Sequence, residues 1–168
     1  MDIKFHILWL ENSLGIAINQ SNSNIDIDIV VKQLESNGNY YHAPIPDFST
    51  YTDRVASKGL DDKYTRELSK YSNFYNKHKS FCHGDASIDN ILCRDNTIYY
   101  IDPIYLPEVY SSWLLDISKL LTSLKRCDIM NNYNQVLNKY SMKKELLALE
   151  MSHWIRMYAY HSSKEYVM

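Results

Sequence analysis

The stretch from Asn90 to Asp102 leaves this chain the least freedom. Asn90-Ile91-Leu92-Cys93 and Thr97-Ile98-Tyr99-Tyr100-Ile101 are apolar, β-branched and aromatic runs of strand length, and Arg94-Asp95-Asn96 between them is turn-forming. Two strands joined this closely make an antiparallel hairpin, which returns the chain to its starting edge. Asn90 and Asp102 are therefore predicted to be neighbours in space. Just upstream, Phe81-Cys82-His83-Gly84-Asp85-Ala86-Ser87-Ile88-Asp89 supplies another carboxylate, Asp85. Two carboxylates and an amide oxygen suit a hard, octahedral cation such as magnesium. Phosphoryl transfer from a nucleotide needs the same parts, a carboxylate for the hydroxyl proton and an amide oxygen plus a second carboxylate for the metal.

Around that hairpin the pattern is helical. Ile25, Ile29 and Leu34 fall on one helical face, with Asn24 as N-cap, Asp26 and Asp28 in the first turn and Asn37-Gly38-Asn39 as the stop. Tyr64, Leu68, Tyr71, Tyr75 and His78 predict one helix from Asp61 to Lys79. Trp113, Leu114, Ile117, Leu120, Leu121 and Leu124 predict another, capped by Ser111 or Ser112, with Asp116 among its apolar residues and in need of hydrogen-bond partners. Helices near Ile129–Tyr140 and Met142–His161 follow, the last largely buried. Tyr40 to Thr52, with Pro44 and Pro46, reads as an irregular connection. Phe5 to Leu10 reads as a short strand, and Leu14 to Ile18 as a second short segment. The fold class expected is α+β, mostly α-helical, in one domain.

Several function classes are excluded. The glycines, Gly15, Gly38, Gly59 and Gly84, are isolated from one another. A phosphate-cradling loop needs clustered glycines, so neither a P-loop nor a dinucleotide fingerprint is present. A net charge of -2 on 168 residues gives no electrostatic case for nucleic acid or an anionic membrane. Cys82, Cys93 and Cys127 have no metal-ligand spacing, and an odd count argues against a disulfide framework, so reduced thiols in a cytoplasmic protein are expected. No apolar run reaches membrane-spanning length, and the first residues lack a signal peptide's basic start.

The motif His83-Gly84-Asp85, then Asn90, then Tyr100-Ile101-Asp102 resembles that of the aminoglycoside phosphotransferase and choline kinase family, within the protein-kinase-like fold. Asp116-Ile117-Ser118-Lys119-Leu120-Leu121 is similar to the family's Asp-Leu-Ala-like helix start. Ile101-Asp102-Pro103 also resembles phosphotransferase-like proteins of bacterial surface-polysaccharide loci. The resemblance is strong from about Asp61 to Leu124 and weak elsewhere. It implies a kinase-like large lobe with the small lobe largely absent: residues 1–20 as its hinge-like remnant, 61–124 as catalytic core and 128–168 as a helical substrate subdomain. It implies Asp85 as catalytic base, Asn90 and Asp102 as Mg²⁺ ligands, and His83 and Asp116 as braces, Asp116 holding the catalytic-loop backbone. It implies ATP as phosphoryl donor, with the hinge near Glu11 and Leu14 receiving the nucleotide, and a small-molecule hydroxyl as acceptor. Taken singly, Asp85, Asn90 and Asp102 also suit structural turns, because Asp and Asn accept local backbone hydrogen bonds. His83 equally suits a buried structural histidine, and Asp89 reads as a solvated loop residue.

The family's Gly-rich loop and strand lysine have no counterpart upstream; Lys4 lies too close to the first strand. Losing comparable electrostatic donors raises a barrier by about 3–4 kcal/mol each, so weak or absent activity is expected of the chain alone. The alternatives are a piece of a longer or split enzyme, with a partner chain or a second copy replacing the small lobe; a catalytically inactive kinase-derived binding or regulatory module; or a minimal phosphotransferase. From Asp128 onward four acidic residues stand against five basic ones. That balance argues against a cationic aminoglycoside acceptor and leaves a sugar or polysaccharide precursor open.

Overall fold

The computed structural model describes residues 16–17, 26–39, 44–57, 62–94, 97–104 and 106–164. The expected strand at Phe5–Leu10 and the nucleotide-hinge positions Glu11 and Leu14 lie outside them. The described part is α+β and mostly helical.

A three-stranded sheet has the order β1-β2-β3, with β1 at Ile16–Ala17, β2 at Ile91–Arg94 and β3 at Thr97–Tyr100, all antiparallel. β1 falls in the short segment expected at 14–18. In the β2–β3 register Ile91 pairs with Tyr100 and Leu92 with Tyr99. Side chains of consecutive strand residues point to opposite faces. Ile91 accordingly joins the main core, while Leu92 packs with Ile101 and Tyr99 in a separate cluster.

Helix α1 spans Ile27–Ser36 and buries Ile27, Val30, Val31 and Leu34, the i, i+3, i+4, i+7 stripe of one face. Its N-cap is Asp26 rather than Asn24: Asp26 Oδ1 accepts the Asp28 N–H at 2.9 Å. Helix α2 (Phe48–Ala56) takes in the last five residues of the segment expected to be irregular and continues beyond it. Pro44 and Pro46 end before it starts, and Phe48, Tyr51, Thr52 and Val55 repeat the same buried stripe. Its first N–H, from Phe48, is taken by Asn76 Oδ1 at 2.8 Å, a tertiary cap that no local pattern announces.

The helix expected from Asp61 to Lys79 is two helices, α3 (Asp62–Ser69) and α4 (Ser72–Asn76). At the break, Ser69 Oγ donates to the Thr65 carbonyl (2.7 Å) and Ser72 Oγ to the Ser69 carbonyl (2.8 Å). Such hydroxyls compete with the helical ladder and favour its interruption.

Helix α5 (Trp113–Arg126) is the centre of the fold and packs against α1, α6 (Met130–Asn138) and α7 (Lys143–Lys164). Ser112 caps it, accepting the Leu114 N–H at 3.2 Å and donating to the His78 carbonyl at 2.6 Å. Leu114, Ile117, Leu120, Leu121 and Leu124 are buried in one continuous core with α1, α2 and α4. The last helix is not largely buried: Leu146 and Leu149 face the core, but Leu147 and Tyr158 are exposed. It buries polar groups in their place, because its inward face meets polar neighbours. Glu150 accepts from the Tyr133 hydroxyl (2.8 Å) and Trp154 Nε1 (3.0 Å), and Ser152 pairs with the Tyr51 hydroxyl (2.8 Å). No helix among the described residues is long and apolar enough to cross a membrane.

Candidate active site

The segment from His83 to Asn90 runs along α5 and enters β2, and α5 fixes it through Asp116. That carboxylate is fully buried and accepts the backbone N–H of His83 on Oδ2 (2.7 Å) and of Gly84 on Oδ1 (2.8 Å). Burial pushes its pKa up to about 7, against the pull of those two donors. Gly84 has no alternative at its position. Its φ is +83°, and a Cβ there would lie 2.2 Å from the Ile104 carbonyl oxygen.

Asn90 holds Asp85. Its Nδ2 donates to the Asp85 carbonyl (3.0 Å) and to Asp85 Oδ2 (3.1 Å). Both partners are acceptors, so the NH₂ group must face them and the amide oxygen faces away, with no hydrogen bond among the described residues. Lys119, one helical turn after Asp116 on α5, places Nζ 3.0 Å from Asp85 Oδ1. The pair is aligned for Coulomb attraction rather than for a directed hydrogen bond, since Oδ1 is buried without a hydrogen-bond donor.

Asp102 follows β3 at an exposed turn with φ +55°, a left-handed conformation disfavoured before a proline. Two bonds hold it there: Ile101 N–H to the Asn90 carbonyl (3.0 Å) and Ile104 N–H to the His83 carbonyl (2.8 Å). Such held outliers concentrate at functional sites. His83 is buried with its ring 5.8 Å from that of Tyr100. Burial lowers its pKa, opposed by the Asp85 and Asp102 carboxylates. Its Nδ1 accepts the Asp85 N–H at 3.4 Å, while Nε2 is buried with no partner.

Hydrogen bonds thus connect His83, Asp85, Asn90 and Asp116, while Asp102 is placed beside Asn90 and His83 only through the backbone bonds of its neighbours Ile101 and Ile104. Asp89, expected to be solvated, forms an ion pair with Arg126. The Asp85–Lys119 pair stands between two cavities. One, of about 260 Å³, extends toward Asn90, Asp89 and Arg126. The other, of about 210 Å³, extends toward Arg54, His153 and Arg156. Lys119, Arg54 and Arg156 escaped the motif reading. The spacing Asp116-x-x-Lys119 places both side chains on one helical face and was a usable signal for the lysine. Nothing local links Arg54 to Arg156.

As residue types, Asn90 and Asp102 offer oxygen donors of the kind magnesium takes. The free Asn90 amide oxygen and the Asp102 carboxylate, which has no hydrogen bond or ion pair among the described residues, are both oxygen ligands. Magnesium is usually bound by one or two carboxylates together with water and substrate phosphates. Among the described residues no group of three or more His, Cys, Asp or Glu side chains is arranged to hold a metal. Comparison with known proteins gives no match to any family model, curated protein or solved structure.

Proposed function

We propose that the chain is a kinase-like large lobe that transfers the γ-phosphoryl group of ATP to a hydroxyl of a small molecule. The observation that carries this reading is the Asn90 clamp. One side chain fixes both the backbone and the carboxylate of Asp85 and turns its own oxygen outward. Asn90 and Asp102 would hold Mg²⁺, which supplies charge neutralisation on the transferred phosphate.

Asp85 orients the acceptor hydroxyl and takes its proton as the new O–P bond forms and the bond to the β-phosphate oxygen breaks. A loose transition state asks mainly for positioning and charge compensation. Lys119 keeps the Asp85 carboxylate in one orientation and adds positive charge beside it. Asp116 holds the loop on which Asp85 sits, through the His83 and Gly84 amides.

Titration of Mg·ATP into the full chain by calorimetry, followed by a phosphate-transfer assay, tests the reading. Mg²⁺-dependent nucleotide binding is expected, lost in Asp102→Asn. Asp85→Asn is expected to spare binding and remove transfer. No heat at millimolar Mg·ATP, or equal loss of binding in both variants, overturns the assigned roles. Binding with no transfer to any hydroxyl compound would favour a binding or regulatory module.

A further inference from the structure

We propose that the hydroxyl acceptor is an anion, a phosphate monoester of sugar-phosphate type, held by Arg54 and Arg156 in the cavity beside Asp85. The proposal rests on the phosphotransfer reading for the word acceptor; the anion site itself rests on the cavity.

The 210 Å³ cavity is lined by Arg54, Lys119 and Arg156 with Asp85 as its acidic residue. Lys119 is occupied by Asp85. The two guanidinium groups are left, and neither has a carboxylate within ion-pair distance among the described residues. They also repel one another: burial first, and then Arg156, lower the pKa of Arg54, with Tyr51 and the Glu108 carboxylate opposing less strongly. Two partly desolvated cations side by side are costly unless a counter-charge joins them. A phosphate monoester carries close to two negative charges at neutral pH and matches the pair, whereas a carboxylate offers one. Guanidinium forks also fit phosphate oxygens in bidentate fashion.

Arg156 is held ready for such a ligand. Ser118 Oγ donates to the Leu115 carbonyl (2.9 Å), so it accepts from His153 Nε2 (2.9 Å). Burial keeps His153 neutral, and its Nδ1 then accepts from Arg156 Nη2. The Arg156 guanidinium also lies 5.5 Å over the Tyr51 ring. These contacts leave Arg156 Nε buried with no partner. An orphaned buried donor on a locked arginine in a cationic cavity is a site built for an acceptor atom. Since Asp85 lines the same cavity, a hydroxyl on the bound monoester is presented to the proposed base.

The test uses the full chain with hexose monophosphates, the parent neutral hexoses and hexuronic acids as probes. Calorimetry without nucleotide is expected to show hexose monophosphate binding, weakened at least tenfold by Arg54→Gln or Arg156→Gln. Arg54→Lys, which keeps the charge and loses the fork, is expected to recover part of the affinity, with thermal melting confirming that each variant is folded. With Mg·ATP, the monophosphate is expected to be the best acceptor, and the arginine variants to raise its KM without changing the KM for ATP. Phosphate transfer to neutral hexoses as efficient as to their monophosphates would overturn the proposal and leave the phosphotransfer reading standing. Arginine-dependent monophosphate binding without transfer would support the anion site and count against phosphotransfer. No monophosphate binding by folded wild-type chain, or tighter binding of the hexuronic acids, would overturn the phosphate assignment.

Discussion

Lys119 Nζ lies 3.0 Å from Asp85 Oδ1, one turn along the helix whose Asp116 carboxylate anchors the Asp85 loop. One helix therefore supplies both the brace of the loop and the counter-charge of the carboxylate that the loop carries.

Lys119→Met is expected to lower kcat roughly 10²-fold, the scale for removing a charge donor from a phosphoryl-transfer or oxyanion site. Both partners are partly exposed, so melting should shift by the equivalent of less than about 1 kcal/mol. A Lys119→Met chain with unchanged kcat would show that the pair is only structural.

Asn90→Asp keeps an oxygen ligand and removes the clamp. The new carboxylate meets the Asp85 carbonyl and Oδ2, where Asn90 now donates two bonds. Like charges there repel, so nucleotide binding should persist with Mg²⁺ while transfer falls by about 10²-fold or more. Steady-state kinetics beside calorimetry checks this split.

Gly84→Ala is expected to destabilise the chain by at least about 2 kcal/mol. The left-handed backbone alone costs an L-residue about 1–2 kcal/mol, and the Ile104 carbonyl 2.2 Å from the added Cβ is backbone. Gly38→Ala should cost less, since its Cβ would meet a Trp113 side-chain atom at 2.9 Å without a left-handed φ. Urea unfolding of the two variants ranks them.

Asp116 links stability to pH. Its carboxyl titrates near 7 when folded and about 3.9 when unfolded. Between those values the folded chain holds the proton more tightly, so the contribution of Asp116 to stability falls as pH rises from about 4 to about 7 and is flat above. Asp116→Asn should remove that dependence. The stability of wild type relative to the variant is expected to fall across this window, and a difference that stays flat would mean that Asp116 is ionised in both states throughout.

The hairpin and the network around Asp85 were largely readable because their determinants are local. Strand propensity on both sides of Arg94-Asp95-Asn96 sets the β2–β3 pairing, and with it the bond from Ile101 N–H to the Asn90 carbonyl. A carboxylate among apolar residues has to find donors, and Asp116 found the nearest loop. The start of α2 was not legible because Pro44 and Pro46 signal an irregular segment locally, whereas the stripe of Phe48, Tyr51, Thr52 and Val55 begins with an amide capped by Asn76 from α4. The α3–α4 break was not legible because the apolar spacing runs through it, while Ser69 and Ser72 bond back to the chain.

What the sequence by itself determined is the α+β class, the hairpin, and the grouping of Asp85, Asn90 and Asp102 at one end of it. Each follows from periodicity and turn chemistry acting over a few residues. Tertiary structure decided which cations stand beside Asp85. Arg54 on α2 and Arg156 on α7 come together only because both helices pack around the same core, and side-chain charge carries no sequence signal for a meeting across that distance.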